Sequence, residues 1–415
     1  MRSLAGVAAN CNGRYASDDD TVRISSRIEQ VRESTTLAIA ARAAELRAAG
    51  RNIISLAAGE PDFATPSAAS EAGIQAIRNG ETHYTPVAGI APLRKAVSEA
   101  IARDYDLNYD PSQICISAGT KPAIWLALTA LLEPGDLVVV VAPYWVSYPD
   151  IVALAGGEVL LLETDEQNGF VPTQEQLETA LGSPGVRGIL INSPSNPTGA
   201  IWPPERIEQL VAICARRDRW IVSDEIYSEL HFDDTRVVSP TQIPGGRERT
   251  VLLNGFSKTY AMTGWRMGWL AAPPELVRGV IRAQSQLMGN ACSISQAAAL
   301  EALAPRNRGD VDKMIDAFRK RRAFLIPAVQ RIEGFSLHPP SGAFYAFPGV
   351  QPLIAARGLA DDVALAKTLL EQTEVATVPG TAFGRPGHIR LSFAASLEDL
   401  HEAMERIWRW AGSPT

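Results

Sequence analysis

The sequence predicts an α/β fold built on a mostly parallel sheet, on three observations. Short unbroken apolar runs, such as Leu137-Val138-Val139-Val140-Val141, read as strands covered on both faces. Seven such runs lie between residues 113 and 271 with helical stretches among them, the pattern of crossover connections. The chain has 415 residues, 46% hydrophobic and 20% charged, enough for a large core and more than one domain.

The elements follow in order. Ile24 to Arg47 is helical and Ala-rich and ends at Gly50; Asn52 to Ala58 is a short apolar run that breaks at Gly59-Glu60-Pro61-Asp62. The seven expected strands are Gln113–Ser117, Leu137–Val141, Glu158–Leu162, Gly188–Asn192, Trp220–Ser223, Thr250–Asn254 and Met267–Ala271. Val311 to Leu325 is a basic helix with Met314, Ile315, Phe318 and Leu325 on one side, and Pro327 is expected to kink or end it. Gly342–Pro348, Val375–Pro379 and His388–Phe393 are further extended runs. A last helix spans Leu397 to Trp410, with Ser396 and Asp399 as a capping-box-like start. The expected division is an extension over 1–24, an arm and part of a small domain over 25–65, a large domain over 66–311, and the rest of the small domain over 312–415.

Composition excludes several classes. A net charge of −7 argues against a nucleic-acid scaffold. The longest apolar stretches are about half of the ~20 residues that span a bilayer, so no membrane anchor is expected. Cys11, Cys115, Cys214 and Cys292 form no CxxC pair, and the five histidines never fall at ligand spacing. A reducing cytoplasm and no metal are expected. The stretch Leu4 to Ala9 is too short for a secretory core, and residues 1–24 read as a disordered extension. There is no Gly-Lys dipeptide, hence no P-loop, and no GxGxxG follows a strand.

Ligands of open α/β sheets sit at the carboxyl ends of strands, so those ends repay inspection. After the strand at 113–117 comes Gly119-Thr120-Lys121 and a helix, an anion site of free amides. After 137–141 comes Trp145, placed to cover a flat ligand. After 188–192 comes Ser193-Pro194-Ser195-Asn196-Pro197-Thr198-Gly199. Asp224 directly follows an apolar strand, so it is buried and needs a partner; Tyr227 is three residues on. After 250–254 comes Gly255-Phe256-Ser257-Lys258, with Arg266 eight positions further inside Gly-Trp-Arg-Met-Gly.

The set resembles the pyridoxal-phosphate-dependent aminotransferases of fold type I, class I/II, and within them the bacterial aspartate and prephenate subgroup. The likeness runs from Ile24 to Trp408. It includes Ser55-Leu56-Ala57-Ala58-Gly59-Glu60-Pro61-Asp62-Phe63, Tyr84-Thr85-Pro86, Asn196-Pro197-Thr198-Gly199, Ser223-Asp224-Glu225-Ile226-Tyr227, the Lys258 string and Ile389-Arg390-Leu391-Ser392. Each fragment is weakly specific; all of them in this order are very specific.

The resemblance implies pyridoxal 5′-phosphate as cofactor, amino acids and 2-oxo acids as substrates, and a homodimer with shared sites. Lys258 is then the lysine that holds the cofactor aldehyde as a Schiff base and later moves the substrate's α-proton. Asp224 pairs with the pyridine nitrogen, Tyr227 and Asn196 with the ring oxygen, and Trp145 stacks on the ring. Gly119, Thr120, Lys121, Ser257 and Arg266 hold the phosphate, and Tyr84 reaches the neighbouring subunit's phosphate. Arg390, with Asn196 and the Gly59 loop, grips the α-carboxylate. Lys121 and Thr36, with Arg32 nearby, meet a distal carboxylate. Because Arg390 and Lys258 fall on different domains, substrate is expected to draw the two together.

One stretch departs from the subgroup. Leu287, Met288 and Gly289 stand where small hydroxyl residues are usual, and Ala291 where Pro is usual. Pure aspartate specificity is therefore doubtful, and an aromatic or prephenate-like donor is admitted. Another reaction of the same scaffold, a β-lyase or cyclase, is the alternative enzyme; a non-catalytic binding protein is the alternative outside enzymes.

Overall fold

In the computed structural model, which describes residues 24–29, 31, 35–232 and 236–412, all seven predicted runs are strands of one sheet. In chain order the strands are β1 (Ile54–Ser55), β2 (Ile114–Ser117), β3 (Leu137–Ala142), β4 (Glu158–Glu163), β5 (Val186–Asn192), β6 (Trp220–Asp224), β7 (Thr250–Gly255) and β8 (Gly268–Ala271). Four more follow: β9 (Tyr345–Ala346), β10 (Val375–Ala376), β11 (Val378–Pro379) and β12 (Ile389–Ser392). The seven-stranded sheet has the order β2-β8-β7-β6-β5-β3-β4, and only β8 runs antiparallel to its neighbours.

The apolar runs behave as their pattern requires. On β3, Val138 and Val140 pack with Ala123, Leu126 and Val277 of two helices, while Val139 packs with Leu177 and Leu210 of two others. Both faces are thus buried, which removes the need for a polar alternate position. Parallel strands leave their carboxyl ends together, so the residues after β2, β3, β5, β6 and β7 share one edge.

A second group of elements forms its own core. Strands β11, β12 and β9 make an antiparallel sheet, and Phe318, Phe344, Tyr345, Leu391 and Phe393 are buried about it. The amino-terminal run joins this group: Ile54 pairs with Val375 and Ser55 with Ala376 in a parallel bridge of β1 and β10.

Two helix predictions need correction. The 24–47 stretch is two helices, Ser26–Glu29 and Thr35–Ala48; residues 34–36 are Ser-Thr-Thr, which favour a helix start over an interior. The basic helix spans Arg308–Gln330 and does not end at Pro327. Leu325 and Val329, on either side of the proline, are buried in one core, and Arg331 N–H still bonds the Pro327 carbonyl at 3.1 Å. Tertiary packing on both sides of the proline carries the helix on past the missing N–H. The last helix, Leu397–Gly412, starts as expected, with Asp399 N–H donating to Ser396 Oγ at 3.0 Å. The expectation for residues 1–24 falls, but for Ile24, outside the described residues.

Candidate active site

The site is assembled on adjacent strand ends. Asp224, the last residue of β6, lies in register with Asn192 of β5 and Leu253 of β7. Asn192 turns this register into a fixed loop: its Nδ2 donates to the Asp224 carbonyl at 2.8 Å, and its Oδ1 accepts from Asn196 N–H at 2.8 Å. Lys258 follows β7 on a turn of three residues.

Asp224 is buried, and its carboxylate accepts from Tyr148 Oη at 2.8 Å and from Ile226 N–H at 3.2 Å. Burial pushes its pKa up to about 6; Tyr148, Ile226 and the Lys258 charge pull the other way. Lys258 is half-buried, and its amine donates to the Gly59 carbonyl. Desolvation first, with Arg390 and Arg266 adding to it, pushes Lys258 down to about 8, while Glu60 and Asp224 oppose the shift. An amine poised near neutrality can act as nucleophile or base where an ordinary lysine cannot.

The anion cradle begins at Gly119, which caps the helix Thr120–Leu131 with φ 105°. That φ favours glycine, and a Cβ there would lie 2.6 Å from Arg266 Nη2 and push the guanidinium away from the helix start. Arg266 itself has φ 54°, and its Nη1 donates to the Thr263 carbonyl at 2.7 Å. Free amides, helix dipole and guanidinium converge there. Ser257, next to Lys258 in the chain, is buried. Lys121 stands over the Trp145 ring, 4.8 Å from its centroid; burial, then Arg266, lowers its pKa.

Arg390 comes from β12 and is buried, with Nη1 donating to Asn196 Oδ1 at 3.0 Å and Nη2 to the Ala57 carbonyl at 2.8 Å. Its guanidinium lies 4.4 Å from the Tyr345 ring centroid and 5.0 Å from that of Phe383. Its Nε is buried without a hydrogen-bond partner. Among the described residues no carboxylate pairs with it, and a buried guanidinium with an unused donor is suited to receive an anion. Tyr227 is buried, with its hydroxyl 3.0 Å from that of Tyr345.

The structure therefore brings together Lys258, Asp224, Tyr227, Asn196, Gly59 and Arg390, and the Gly119–Lys121 helix start with Arg266 and Trp145. Tyr84 is apart from them and 98% exposed. Thr36 falls in the helix Thr35–Ala48, its side chain outside the described part, and Arg32 lies outside the described residues altogether. Sequence reasoning missed Tyr148, Tyr345, Phe383 and Glu60. Tyr148 had a signal: a buried Asp224 demands a donor, and Tyr148 sits one turn beyond Trp145. Tyr345 and Phe383 carry none.

This arrangement fits one cofactor. A cradle for a phosphate, a buried acid facing the strand-end cleft and a lysine of lowered pKa are the three contacts that pyridoxal phosphate requires of a protein. The comparisons agree. The family described as aminotransferase class I and II matches residues 51–407. The aspartate/prephenate aminotransferase of Cereibacter sphaeroides is 43% identical over 392 residues, covering 92% of this chain and 97% of the relative. The aspartate aminotransferase of Geobacillus stearothermophilus is 40% identical over 390 residues, covering 94% and 99%. The structure of the Thermus thermophilus aspartate aminotransferase with maleate superposes with a TM-score of 0.89 at 39% identity, covering 94% of this chain and all of that one.

The chain belongs to the class I and II aminotransferases. It is a pyridoxal-phosphate-dependent enzyme of fold type I that transfers amino groups, which removes the non-catalytic alternative.

Proposed function

We propose that the enzyme moves an amino group between an acidic amino acid, aspartate or glutamate, and a bulkier 2-oxo acid of the prephenate or aromatic type. The observation that carries this is the position of Lys121, a cation held over the Trp145 plate beside the phosphate cradle, on a different element from Arg390. With Arg390 engaged by the α-carboxylate, Lys121 remains for a second one. The names of the relatives, and maleate, a dicarboxylate, in the Thermus structure, support the reading.

Lys258 would hold the cofactor covalently and Asp224 would hold the proton of its ring nitrogen. Tyr227 and Asn196 would bond its ring oxygen, Trp145 would cover its face, and the backbone amides of Gly119, Thr120 and Lys121, with Ser257 and Arg266, would bind its phosphate, which leaves the Lys121 side chain free for substrate. When bound, pyridoxal phosphate supplies an electron-withdrawing ring that accepts the electron pair left as the substrate loses its α-proton. Lys258 Nζ, once free, would take that proton as a general base and later give it up as a general acid. Arg390 fixes the substrate's α-carboxylate with two parallel donors and so aims the α-proton at Nζ. Asp224, ionised in this pairing, keeps its negative charge out of water, where its effect is largest.

The site also asks for a second copy of the chain. Tyr84, Leu287 and Met288 are 98%, 52% and 37% exposed, which leaves them available to another copy of the chain. In a homodimer with shared sites, Tyr84 would reach the other copy's phosphate cradle, and Leu287 and Met288 would give its substrate pocket an apolar wall. We also propose the division into a large unit over 66–311 and a small unit over 25–65 and 312–415, closing on substrate through Arg390. A cytoplasmic location accords with the spaced cysteines, and no helix among the described residues is long and apolar enough to cross a membrane.

Lys121→Ala tests the substrate class. KM for aspartate and glutamate should rise about tenfold, equal to ~1.4 kcal/mol, while neutral and aromatic donors change little. An equal loss for both groups would assign Lys121 to the phosphate and remove the dicarboxylate reading.

A further inference from the structure

The catalytic lysine is covered by a loop that no strand of the large sheet supplies. After β1 the chain runs over Ala57-Ala58-Gly59-Glu60-Pro61-Asp62-Phe63-Ala64-Thr65 and zips against the turn 258–266. The Gly59 carbonyl accepts from Lys258, and a carboxylate oxygen of Glu60 accepts from Thr263 Oγ1 at 2.6 Å. Thr65 Oγ1 donates to the Ala261 carbonyl at 2.9 Å and accepts from Trp265 Nε1 at 3.0 Å. Asp62 receives both Nη atoms of Arg321 at 2.7 Å each. The loop is thus pinned at both ends and along its length. Arg321 is buried and its guanidinium sits 5.0 Å from the Phe63 ring centroid and 5.4 Å from that of Phe318, which makes that end rigid.

Glu60 is exposed, and the loop's other carboxylate, Asp62, is taken by Arg321. An exposed glutamate normally wanders; this one is tied to the backbone segment that carries Lys258. We propose that Glu60 is a positioning residue for Lys258: clamped by Thr263, its carboxylate is the negative charge that steadies the protonated amine when Lys258 carries the substrate's proton. This rests on Lys258 being the reactive lysine.

The other groups around the amine leave that task open. From β6 and its turn come Asp224 and the Tyr227 ring, the latter 6.0 Å from Nζ; from β12 comes Arg390; from the lysine's own turn comes Arg266; and the Phe344 ring lies 5.8 Å away. Two of these are cations, which favour the neutral amine. Among the described residues Asp224 is the other carboxylate acting on it, and its charge is committed to the ring nitrogen under the proposed function. Glu60 is the larger of the two carboxylate influences on Lys258. The division suits a residue that must be neutral to attack and cationic a moment later.

The test separates charge from clamp. In full-length protein freed of cofactor, competitive acetylation across about pH 6–10, read by mass spectrometry on the Lys258 peptide, gives the titration midpoint of that one amine; Lys95, exposed on its helix, serves as reference. The wild-type midpoint should lie near the value of about 8. Glu60→Gln keeps an acceptor for Thr263 and removes the charge, and should lower the midpoint by about half a pH unit or more. Thr263→Val, which frees the carboxylate to swing into solvent, should lower it less, and Thr263→Ser should restore the wild-type value. An unchanged or raised midpoint in folded Glu60→Gln overturns the proposal. If that variant does not fold, an unchanged midpoint in Thr263→Val does the same. Borohydride reduction of the cofactor-loaded wild type tests the underlying assignment separately: the cofactor's mass should stay on the Lys258 peptide. Its appearance elsewhere would remove Lys258, and not merely Glu60, from the site.

Discussion

At the end of β6 two consecutive carboxylic acids point to opposite sides of the sheet. Asp224 lies at the strand end toward Tyr148 and Lys258; Glu225 lies on the far side, toward Tyr105 and Ser239. Both are buried, and burial raises both, Asp224 to about 6 and Glu225 to about 7. Their partners differ in kind. Asp224 has a phenol donor, a backbone N–H and a lysine within its field. Glu225 accepts from Ser223 Oγ and Ser239 Oγ at 2.7 Å each through one oxygen, its other oxygen is buried without a partner, and the charged group acting on it is Asp224, of like sign. Burial alone therefore does not mark a catalytic acid. Both acids have donors that favour the ion; the mark is the charged neighbour, a lysine for Asp224 and a second carboxylate for Glu225. Glu225 sits in a hydroxyl network of Ser223 and Ser239, and burial, with the like charge of Asp224, holds its proton to a higher pH than usual.

Asp224→Asn should break the comparison hardest. The amide cannot hold the ring proton, so kcat should fall by about a hundredfold or more, the scale of losing one preorganised electrostatic partner. Cofactor affinity should change far less, because the phosphate cradle and Lys258 remain. Turnover close to wild type would put Asp224 in the same class as Glu225.

A smaller loss is expected from Tyr148→Phe. The phenol's hydrogen bond favours ionised Asp224, and a bond to a charged group is worth ~1.5–3 kcal/mol. The variant should lose about tenfold in kcat, with the loss growing as pH falls, because Asp224 protonates at a higher pH once the donor is gone. A loss independent of pH would show that Tyr148 packs against the site without tuning it.

The difference between the two acids was half legible in the sequence. Asp224 after an apolar strand announced a buried carboxylate, and its place at a carboxyl end announced a ligand. The same reasoning applied to Glu225 one residue later would have been wrong about the ligand, since the next side chain in an extended strand points the other way. The strands themselves were readable because burial on both faces writes a continuous apolar run. Lys258, Arg390 and the Gly119 helix start were readable because their strings are local. Tyr345 and Glu60 were not, because each meets its partner across 118 and 203 residues of chain, a distance no local pattern records. Pro327 shows the converse: a strong local signal overruled by a core that buries Leu325 and Val329 around it.

Glu225→Gln should have the smallest effect on catalysis and a distinct effect on stability. The amide fits the same hydroxyl network, so kcat should stay within about threefold of wild type. Stability should respond to pH differently. The folded protein holds the Glu225 proton up to about 7, whereas the unfolded chain releases it near 4.5. Between those values the folded state binds more protons than the unfolded state, so stability falls as pH rises through that window and levels off above it. Glutamine does not titrate and should lack this decline. Asp224 contributes a similar decline between 3.8 and about 6 in the absence of cofactor, so both proteins are compared with pyridoxal phosphate bound, which keeps Asp224 ionised. Melting temperatures between about pH 5 and 8 should then fall more steeply for wild type than for Glu225→Gln. Parallel curves would mean that Glu225 is ionised in the folded state at low pH, that its unpaired oxygen has found a donor, and that the two faces of β6 are more alike than their partners indicate.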